Sequence, residues 1–416
     1  MLKMSKKWII SLLMLLIAFQ MKGISSQPVA IIGGEFISKE NPYPVAYLIA
    51  SDHSTQTLSH SGPQKLGSIR SVAINSSGNA IIGGMDHNAI GTTSNQPYMG
   101  LVSPNGEITA LGGPFLPRGW GIIGSVAIND SGNAVIGGLE EENNAYIALV
   151  SPDGSTKGLG DANPLGSGGV YSVAINDSGN ALVGGEDQNY STGYLALITP
   201  DGLTKQLSGS PIPEFIAITS VAINDLGNGA ITGSSIAGSP YIAFVSSDGV
   251  VKDLSSILPK YAKIYSVAID SEGNALIVGE NLLRPYVALV APDGKTTEFD
   301  TQFEEGAIYS VSMTPFGMAI IGGTQNIKNV KQPYAGIIYP HSSGYISKVN
   351  LASSEGGGIY SVAINSEGTR QIIGGQVNGS LYAAFVNLDS SCELLNNSSM
   401  YTTKGVIHSV SIRGGE

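Results

Sequence analysis

Cysteine is almost absent: Cys392 is the only one in 416 residues. No internal disulfide can form, even in an oxidising compartment, so the stability of the fold must come from packing. Because no cysteine comes directly after the signal sequence, we also expect no bacterial lipoprotein anchor.

Charged residues and histidines are also scarce. Charged residues make up 13% of the chain, whereas apolar residues reach 42% and there are 55 glycines. Disorder would need the opposite balance, so we expect short buried strands joined by tight turns. The five histidines show no metal-ligand spacing, and the sequence predicts no metal and no cofactor.

The chain has a single long apolar run, at residues 8–19. Its 12 residues are too few to cross about 30 Å of hydrocarbon. Lysines precede the run and small or polar residues follow it, which is the layout of a secretory signal peptide. We expect cleavage near Ser26 and export of residues 27–416, with no transmembrane segment in the mature chain. An uncleaved N-terminal anchor is the alternative.

Basic residues are outnumbered, with 21 Lys and Arg against 32 Asp and Glu. Removing residues 1–26 takes away four lysines and no acid, which leaves 17 basic groups and a net charge near −15. Nucleic acid and anionic membrane surfaces are therefore poor partners. We expect a monomer.

A repeat dominates the rest of the chain. The motif Ser-Val-Ala-Ile at 71–74 returns with small changes at 125–128, 172–175, 220–223, 266–269, 310–313, 361–364 and 409–412. Each full copy continues through an Asn- and Gly-containing turn into a second apolar stretch, then a third and a weaker fourth. Four short strands every 44 to 54 residues are typical of β-propeller blades.

The order of the strands predicts how the ring closes. The second, third and fourth stretches first appear at 30–34, 45–49 and 55–58, without a first stretch before them. That missing strand comes last, at 409–412, and we expect it to complete the blade begun by the N-terminus, which leaves no open sheet edge. The predicted fold is a single all-β domain, an eight-bladed β-propeller with four antiparallel strands per blade.

The units also resemble a known family. The turn at 129–132 (Asn-Asp-Ser-Gly), the pair Gly137-Gly138 and the turn at 152–154 (Pro-Asp-Gly) match the pattern of the HAF family of probable extracellular repeats. The third strand differs, because residues 146–150 read Tyr-Ile-Ala-Leu-Val where the family has His-Ala-Phe-Leu-Trp. The resemblance covers residues 28–412. It implies an extracellular or cell-surface setting and no particular chemistry.

The two rims of such a ring differ in sequence. Turns between the first and second strands, and between the third and fourth, are nearly constant, and we interpret them as structural. The other connections vary in length and chemistry, at 85–96, 140–144, 186–192, 324–332, 113–121 and 211–214. Variable loops on a rigid scaffold are where binding specificity is usually found, so we assign the ligand face to this rim.

One set of residues on that rim stands out, and we call it the funnel ring. Each member directly precedes the Ser-Val-Ala-Ile strand of its unit: Arg70, Gly124, Tyr171, Thr219, Tyr265, Tyr309, Tyr360 and His408. Four tyrosines with an arginine and a histidine around a central funnel would suit a glycan, a peptide or a protein ligand. The alternative is that the tyrosines wedge between blades and bond backbone carbonyls.

Two further aromatic sets need separate interpretations. Tyrosines recur at the start of the third strand in seven units, which indicates packing: Tyr98, Tyr146, Tyr194, Tyr241, Tyr286, Tyr334 and Tyr382. Phe115, Arg118 and Trp120 lie on the longest variable loop and form a candidate contact patch. A hydrophobic loop packed over its own blade is the alternative for this patch.

Catalysis has little support in the sequence, because no nucleophile, base and orienting group can be assembled. Cys392 is interpreted as a structural thiol. We retain two hypotheses. The first is a binding module that uses the funnel. The second is a carbohydrate hydrolase or lyase at the same funnel, with Glu304, Glu305 or His408 as acid or base.

Overall fold

A computed structural model describes most of the chain. It covers residues 27–58, 67–87, 95–111, 116–117, 119–141, 144–159, 168–187, 192–207, 212, 216–235, 237–340, 344–352 and 356–414. The predicted signal peptide at 1–26 and two members of the loop patch, Phe115 and Arg118, lie outside these residues.

The described strands form eight antiparallel sheets of four strands, which are the blades of a β-propeller. The innermost strands are β4 (Gly67–Ile74), β8 (Ile122–Ile128), β12 (Gly168–Ile175), β16 (Ile216–Ile223), β20 (Ala262–Ile269), β24 (Gly306–Met313), β28 (Gly357–Ile364) and β32 (Gly405–Ile412). The second strands are β1 (Pro28–Ser38), β5 (Ala80–Asp86), β9 (Ala134–Glu140), β13 (Ala181–Asp187), β17 (Gly229–Ser235), β21 (Ala275–Asn281), β25 (Ala319–Ile327) and β29 (Gln371–Val377).

The outer half of each blade is shorter and ends in a strand of two or three residues. The third strands are β2 (Asn41–Ala50), β6 (Gln96–Val102), β10 (Asn144–Val150), β14 (Thr192–Ile198), β18 (Pro240–Val245), β22 (Arg284–Val290), β26 (Val330–Ile338) and β30 (Ser380–Val386). The outermost are β3 (Thr55–Thr57), β7 (Ile108–Ala110), β11 (Thr156–Gly158), β15 (Thr204–Gln206), β19 (Val251–Asp253), β23 (Thr296–Glu298), β27 (Ser347–Lys348) and β31 (Cys392–Leu394). No helix in the described ranges is long and apolar enough to cross a membrane.

The closing strand lies where the repeat predicts it. β32 pairs with β1, so that Ala30 opposes Ile412 and Phe36 opposes Gly405, and the sheet order is β3-β2-β1-β32. Arg413 Nη1 donates to Gln27 Oε1 at 2.7 Å across the same seam. The prediction of eight four-stranded blades closed by the C-terminal strand is confirmed.

Packing between blades sets large side chains against glycine. Ile69 and Val72 of β4 are buried, and they face Gly33 of the neighbouring blade, where an added Cβ would lie 2.6 Å from Ile69 Cγ2. Burying a Val or Ile side chain stabilises a fold by about 1.5–3 kcal/mol. Because the contact recurs around the ring, much of the core consists of such interfaces.

The serine of the repeated motif joins a blade to its neighbour at seven interfaces. Ser71 Oγ accepts a hydrogen bond from the Val126 backbone N–H at 3.1 Å. Equivalent bonds join Val173 to Ser125, Val221 to Ser172, Val267 to Ser220, Val362 to Ser310, Val410 to Ser361 and Val72 to Ser409. These bonds satisfy donors on the inner edge of the sheet that would otherwise lack a strand partner.

Asparagine side chains fix the opposite end of the innermost strands. Asn129 Oδ1 accepts from the Asn133 backbone N–H at 3.0 Å, and its Nδ2 donates to the Asn176 carbonyl of the next blade at 3.2 Å. We call Asn75, Asn129, Asn176 and Asn224 the asparagine ring, since all four make the same pair of bonds. These contacts support the structural interpretation of the constant turns.

The third-strand tyrosines pack as expected. Six of the seven are buried and Tyr98 is half-buried: Tyr146, Tyr194, Tyr241, Tyr286, Tyr334 and Tyr382. Burial raises the pKa of Tyr98 and of Tyr286 to about 12. The prediction of a packing role is confirmed.

Candidate functional site

Every residue of the funnel ring is the extra residue of a β-bulge. In β4, Ile69 opposes Gly84 and Ser71 opposes Gly83, so that Arg70 has no partner on β5. The same register shift falls at Gly124, Tyr171, Thr219, Tyr265, Tyr309, Tyr360 and His408. A bulge re-aims its extra side chain, and bulges are over-represented next to active sites.

A glycine on the second strand makes each bulge possible. A Cβ added to Gly84 would lie 2.0 Å from the Ser68 carbonyl oxygen, and one on Gly34 would lie 2.1 Å from that of Val406. Backbone approaches this close exclude any side chain. In blades with a glycine pair, large side chains of the neighbouring blade pack against the first glycine, and the second glycine leaves room for the bulge.

Three consecutive members of the funnel ring form a continuous aromatic wall, the tyrosine arc. The ring centroids of Tyr265 and Tyr309 are 5.6 Å apart, and those of Tyr309 and Tyr360 are 5.9 Å apart. Tyr265 is 36% exposed and Tyr360 is 37% exposed, so the arc is accessible to solvent. Desolvation, followed by the nearby Glu280 carboxylate, raises the pKa of Tyr265 to about 12. This phenol is therefore an uncharged hydrogen-bonding group at neutral pH.

Next to the arc lies a charged cluster of Arg70, His408 and Glu35. Arg70 Nη1 is 3.3 Å from His408 Nε2, and Glu35 Oε2 is 3.5 Å from the same ring nitrogen. Arg70 Nη2 is 3.9 Å from Glu35 Oε2. A hydrogen bond to His408 lowers the pKa of Glu35 against the opposing effect of burial, and the charges of His408 and Arg70 add to it. Glu35 is therefore an anion at neutral pH.

The remaining positions are chemically different. Tyr171 is 44% exposed, and its hydroxyl donates to the Glu186 carboxylate. Thr219 is exposed, and a Cβ on Gly124 would meet only the Val170 carbonyl, at 3.9 Å, which leaves an opening in the ring.

The backbone-bonding alternative for the tyrosines is not observed at two of the four positions. Tyr171 bonds Glu186, and the hydroxyl of Tyr309 lies 3.1 Å from Thr324 Oγ1. Both partners are side chains on the second strand of the same blade. These two tyrosines therefore reach neighbouring polar side chains.

A second set of residues accompanies the funnel ring and was not singled out from the sequence. It consists of the residue after the second-strand glycine of each blade: Glu35, Met85, Leu139, Glu186, Ser234, Glu280, Thr324 and Gln376. Glu35, Glu186 and Thr324 contact funnel-ring side chains, and Glu280 pairs with Lys263 at 3.1 Å. Its constant position after the glycine was the sequence signal that could have identified it.

Among the described residues, connections between blades lie beside connections within blades on one rim. The Gly306 backbone N–H donates to the Leu283 carbonyl at 2.9 Å, and that of Asn326 donates to the Glu305 carbonyl at 2.8 Å. Each bond joins the connection between two blades to a connection inside a blade. Trp120 is half-buried on this rim just before β8, and it is the only member of the loop patch among the described residues.

The predicted catalytic groups are not brought together. Glu304 and Glu305 are exposed between β23 and β24, and no contact among the described residues joins them to His408. Cys392 is half-buried in β31, where burial raises its pKa to about 11, so the thiol is protonated at neutral pH. Within the described ranges, no group of three or more His, Cys, Asp or Glu side chains could hold a metal ion.

Comparison with known proteins finds similarity in the fold. No protein-family model and no curated protein matches the chain. It is similar to the Dos1 propeller, with a TM-score of 0.54 and 9% identity over 94% of this chain and 95% of that one. A Lactobacillus plantarum protein gives 0.51 and 11% over 92% and 98%. A puromycin hydrolase gives 0.52 and 12% over 81% of this chain and 54% of its own length. At these identities the likeness shows the β-propeller fold alone, and the HAF resemblance stays a prediction.

Proposed function

We propose that this protein is an exported or cell-surface binding module that holds its ligand in the central funnel. One observation carries the proposal. Each of the eight blades has a β-bulge at its funnel-ring residue, yet that residue is Tyr in some blades and Arg, His, Thr or Gly in others. A constant backbone device that presents variable side chains is the arrangement of a recognition surface on a rigid scaffold.

The chemistry of the ring supports binding. The tyrosine arc offers accessible aromatic faces with hydroxyl tips, and the charged cluster lies beside it. Such surfaces combine apolar contact area with a few orienting polar groups, as ligand sites do. Export, whether to the extracellular space, the cell surface or a periplasm, is proposed from the signal-peptide layout of residues 1–26.

A carbohydrate hydrolase or lyase at the same funnel is the competing proposal. One contact favours it: His408 Nε2 lies 3.5 Å from the Glu35 carboxylate, which pairs an imidazole with an orienting anion. Binding remains the preferred function, because no nucleophile or second acid is placed beside His408 in the described residues.

The test is a screen of purified residues 27–416 against glycan and peptide arrays. We expect the triple variant Tyr265→Ala, Tyr309→Ala and Tyr360→Ala to bind the ligand with an affinity lower by a factor of about 100 or more. The control is Tyr345→Ala, because Tyr345 is 59% exposed and lies outside the funnel.

Three results would oppose the proposal. Unchanged binding by the folded triple variant would move the site away from the funnel. If the wild-type protein binds no ligand on any array, the proposed binding function is wrong. Turnover of a bound glycan that is lost in Glu35→Gln, with binding retained, would favour the enzyme.

A further inference from the structure

We propose that the ligand of the funnel is an acidic sugar: a neutral glycan body lies on the tyrosine arc, and a single terminal uronic-acid carboxylate is bound by Arg70. This inference rests on the proposed binding function and specifies its ligand class.

Arg70 has hydrogen-bonding capacity that the protein does not use. Its guanidinium carries five N–H donors. In the described structure, Nη1 faces His408 Nε2 at 3.3 Å, and Nη2 is 3.9 Å from Glu35, beyond hydrogen-bond distance. Nε is buried without a partner, so the donors open to a ligand are those of Nη1 and Nη2. The side chain is 34% exposed, so the guanidinium tip can be reached from the funnel. A planar group with free donors fits a carboxylate.

His408 adds a conflict that such a ligand would resolve. Its Nε2 lies between a donor, Arg70 Nη1, and an acceptor, Glu35 Oε2, at 3.3 and 3.5 Å. If Nε2 carries the proton it can donate to Glu35, but it then cannot accept from Arg70. If Nε2 is unprotonated, it can accept from Arg70 but cannot donate to Glu35. A ligand carboxylate that accepts from Arg70 Nη1 leaves Nε2 free to donate to Glu35, and all three groups are then satisfied.

The neighbouring surface suits a sugar. Around the ring, the blade of Tyr360 contacts the blade of His408, and that blade contacts the blade of Arg70. Aromatic faces spaced 5.6 and 5.9 Å apart can carry the apolar faces of sugar rings. The hydroxyls of Tyr309 and Thr324 can both donate and accept, as sugar hydroxyls require.

Two other ligand classes fit less well. An extended peptide commonly binds by adding a strand to a free sheet edge, but serines of the neighbouring blades already occupy inner-edge donors such as Val362 N and Val410 N. A polyanion would meet Glu186 and Glu280 around the same funnel, in a protein of net charge −11. One carboxylate at the end of a neutral chain avoids both obstacles.

The experiment uses matched pairs of probes on residues 27–416. Each pair contains a neutral oligosaccharide and its twin in which the terminal sugar is glucuronic or galacturonic acid, so the twins differ only by the carboxylate. We expect a preference of about tenfold to a hundredfold for the acidic twin, which is the usual value of a charge-assisted hydrogen bond. Arg70→Gln should reduce that preference to near one, while Arg70→Lys should keep part of it.

Arg284→Gln is the matched control, since Arg284 is an exposed arginine at the start of β22 on the same rim. Thermal unfolding of each variant checks that it is folded. Equal affinity for the twins, or a preference that survives in Arg70→Gln, would overturn the acidic-sugar inference and leave funnel binding intact. Selective capture of peptides by the tyrosine arc would also overturn it. If the folded wild-type protein binds no probe and no array ligand, both proposals fail.

Discussion

The two ends of the central channel follow opposite rules. At one end, the asparagine ring repeats a single residue type, and each member makes the same two bonds, one within its turn and one to the next blade. At the other end, the funnel ring repeats a single backbone feature, the bulge, but fills it with five residue types. The asparagine ring spans four of the eight blades, whereas the funnel ring spans all eight.

The difference separates positions that hold the fold together, such as the asparagine ring, from positions that are candidates for function, such as the funnel ring. A position that must accept a hydrogen bond from its own turn tolerates few residue types, and where asparagine is replaced, Asp270 and Thr314 keep that bond. A position held by backbone geometry alone can take any side chain without loss of the fold. The bulge does not set the side chain at the funnel ring, and the variation there agrees with the recognition role that we propose.

The largest effect should come from breaking the bulge itself. Gly138→Ala would place a Cβ 2.0 Å from the Ile122 carbonyl oxygen, whereas Gly124→Ala meets only the Val170 carbonyl at 3.9 Å. We expect Gly138→Ala to lower the free energy of unfolding by about 3 kcal/mol, as overpacking against backbone does, and Gly124→Ala to change it by less than about 0.5 kcal/mol. Urea denaturation measures both. Equal losses would mean that the bulge is not set by the second-strand glycine.

An intermediate effect should separate the two rings. Asn129→Ala removes a buried hydrogen bond to the Asn176 carbonyl and a partly buried one from Asn133 N, and should cost about 2 kcal/mol of unfolding free energy. Tyr309→Phe removes one partly exposed contact and should cost less than about 1 kcal/mol. Ser131→Ala, on the exposed tip of the same turn as Asn129, is the control. A larger loss in Tyr309→Phe would make the funnel ring structural.

The smallest effect is electrostatic and has opposite signs at the two ends. The pKa of Glu35 is lowered, chiefly by its hydrogen bond to His408, so its contribution is present above the unfolded pKa and is lost as the pH falls through the folded value. The pKa of Asp177 is raised, first by desolvation and then by Asp130 and Asp225, so its ionised form opposes folding at neutral pH.

Glu35→Gln should therefore destabilise the protein at pH 7, and Asp177→Asn should stabilise it slightly. Both differences should shrink below about pH 4, where the unfolded carboxyls are protonated. Thermal unfolding between pH 3 and 8 measures them. Effects of the same sign at pH 7 would contradict the comparison.

The sequence predicted the architecture because each blade repeats its own signal. The Ser-Val-Ala-Ile motif sets the register of every innermost strand, so the residue before it could be assigned to one ring. The bulge was not predicted, because it depends on the close approach of a second-strand glycine to a carbonyl of the innermost strand, such as Gly84 to Ser68, which a strand pattern does not show. The charged cluster was missed for another reason. Arg70 and His408 are 338 residues apart, and only ring closure brings them and Glu35 together.

The seam between β1 and β32 has a consequence for the order of folding. Gln27 and Arg413 meet although 386 residues separate them, whereas most other strand pairs are hairpin neighbours. Blades can therefore assemble locally during synthesis, but the first blade lacks its innermost strand, β32, until residue 412 has been synthesised. Loop-closure entropy delays such a contact, and topologies rich in distant pairs fold slowly. The charged cluster, which spans the seam, would be the last part of the funnel to form.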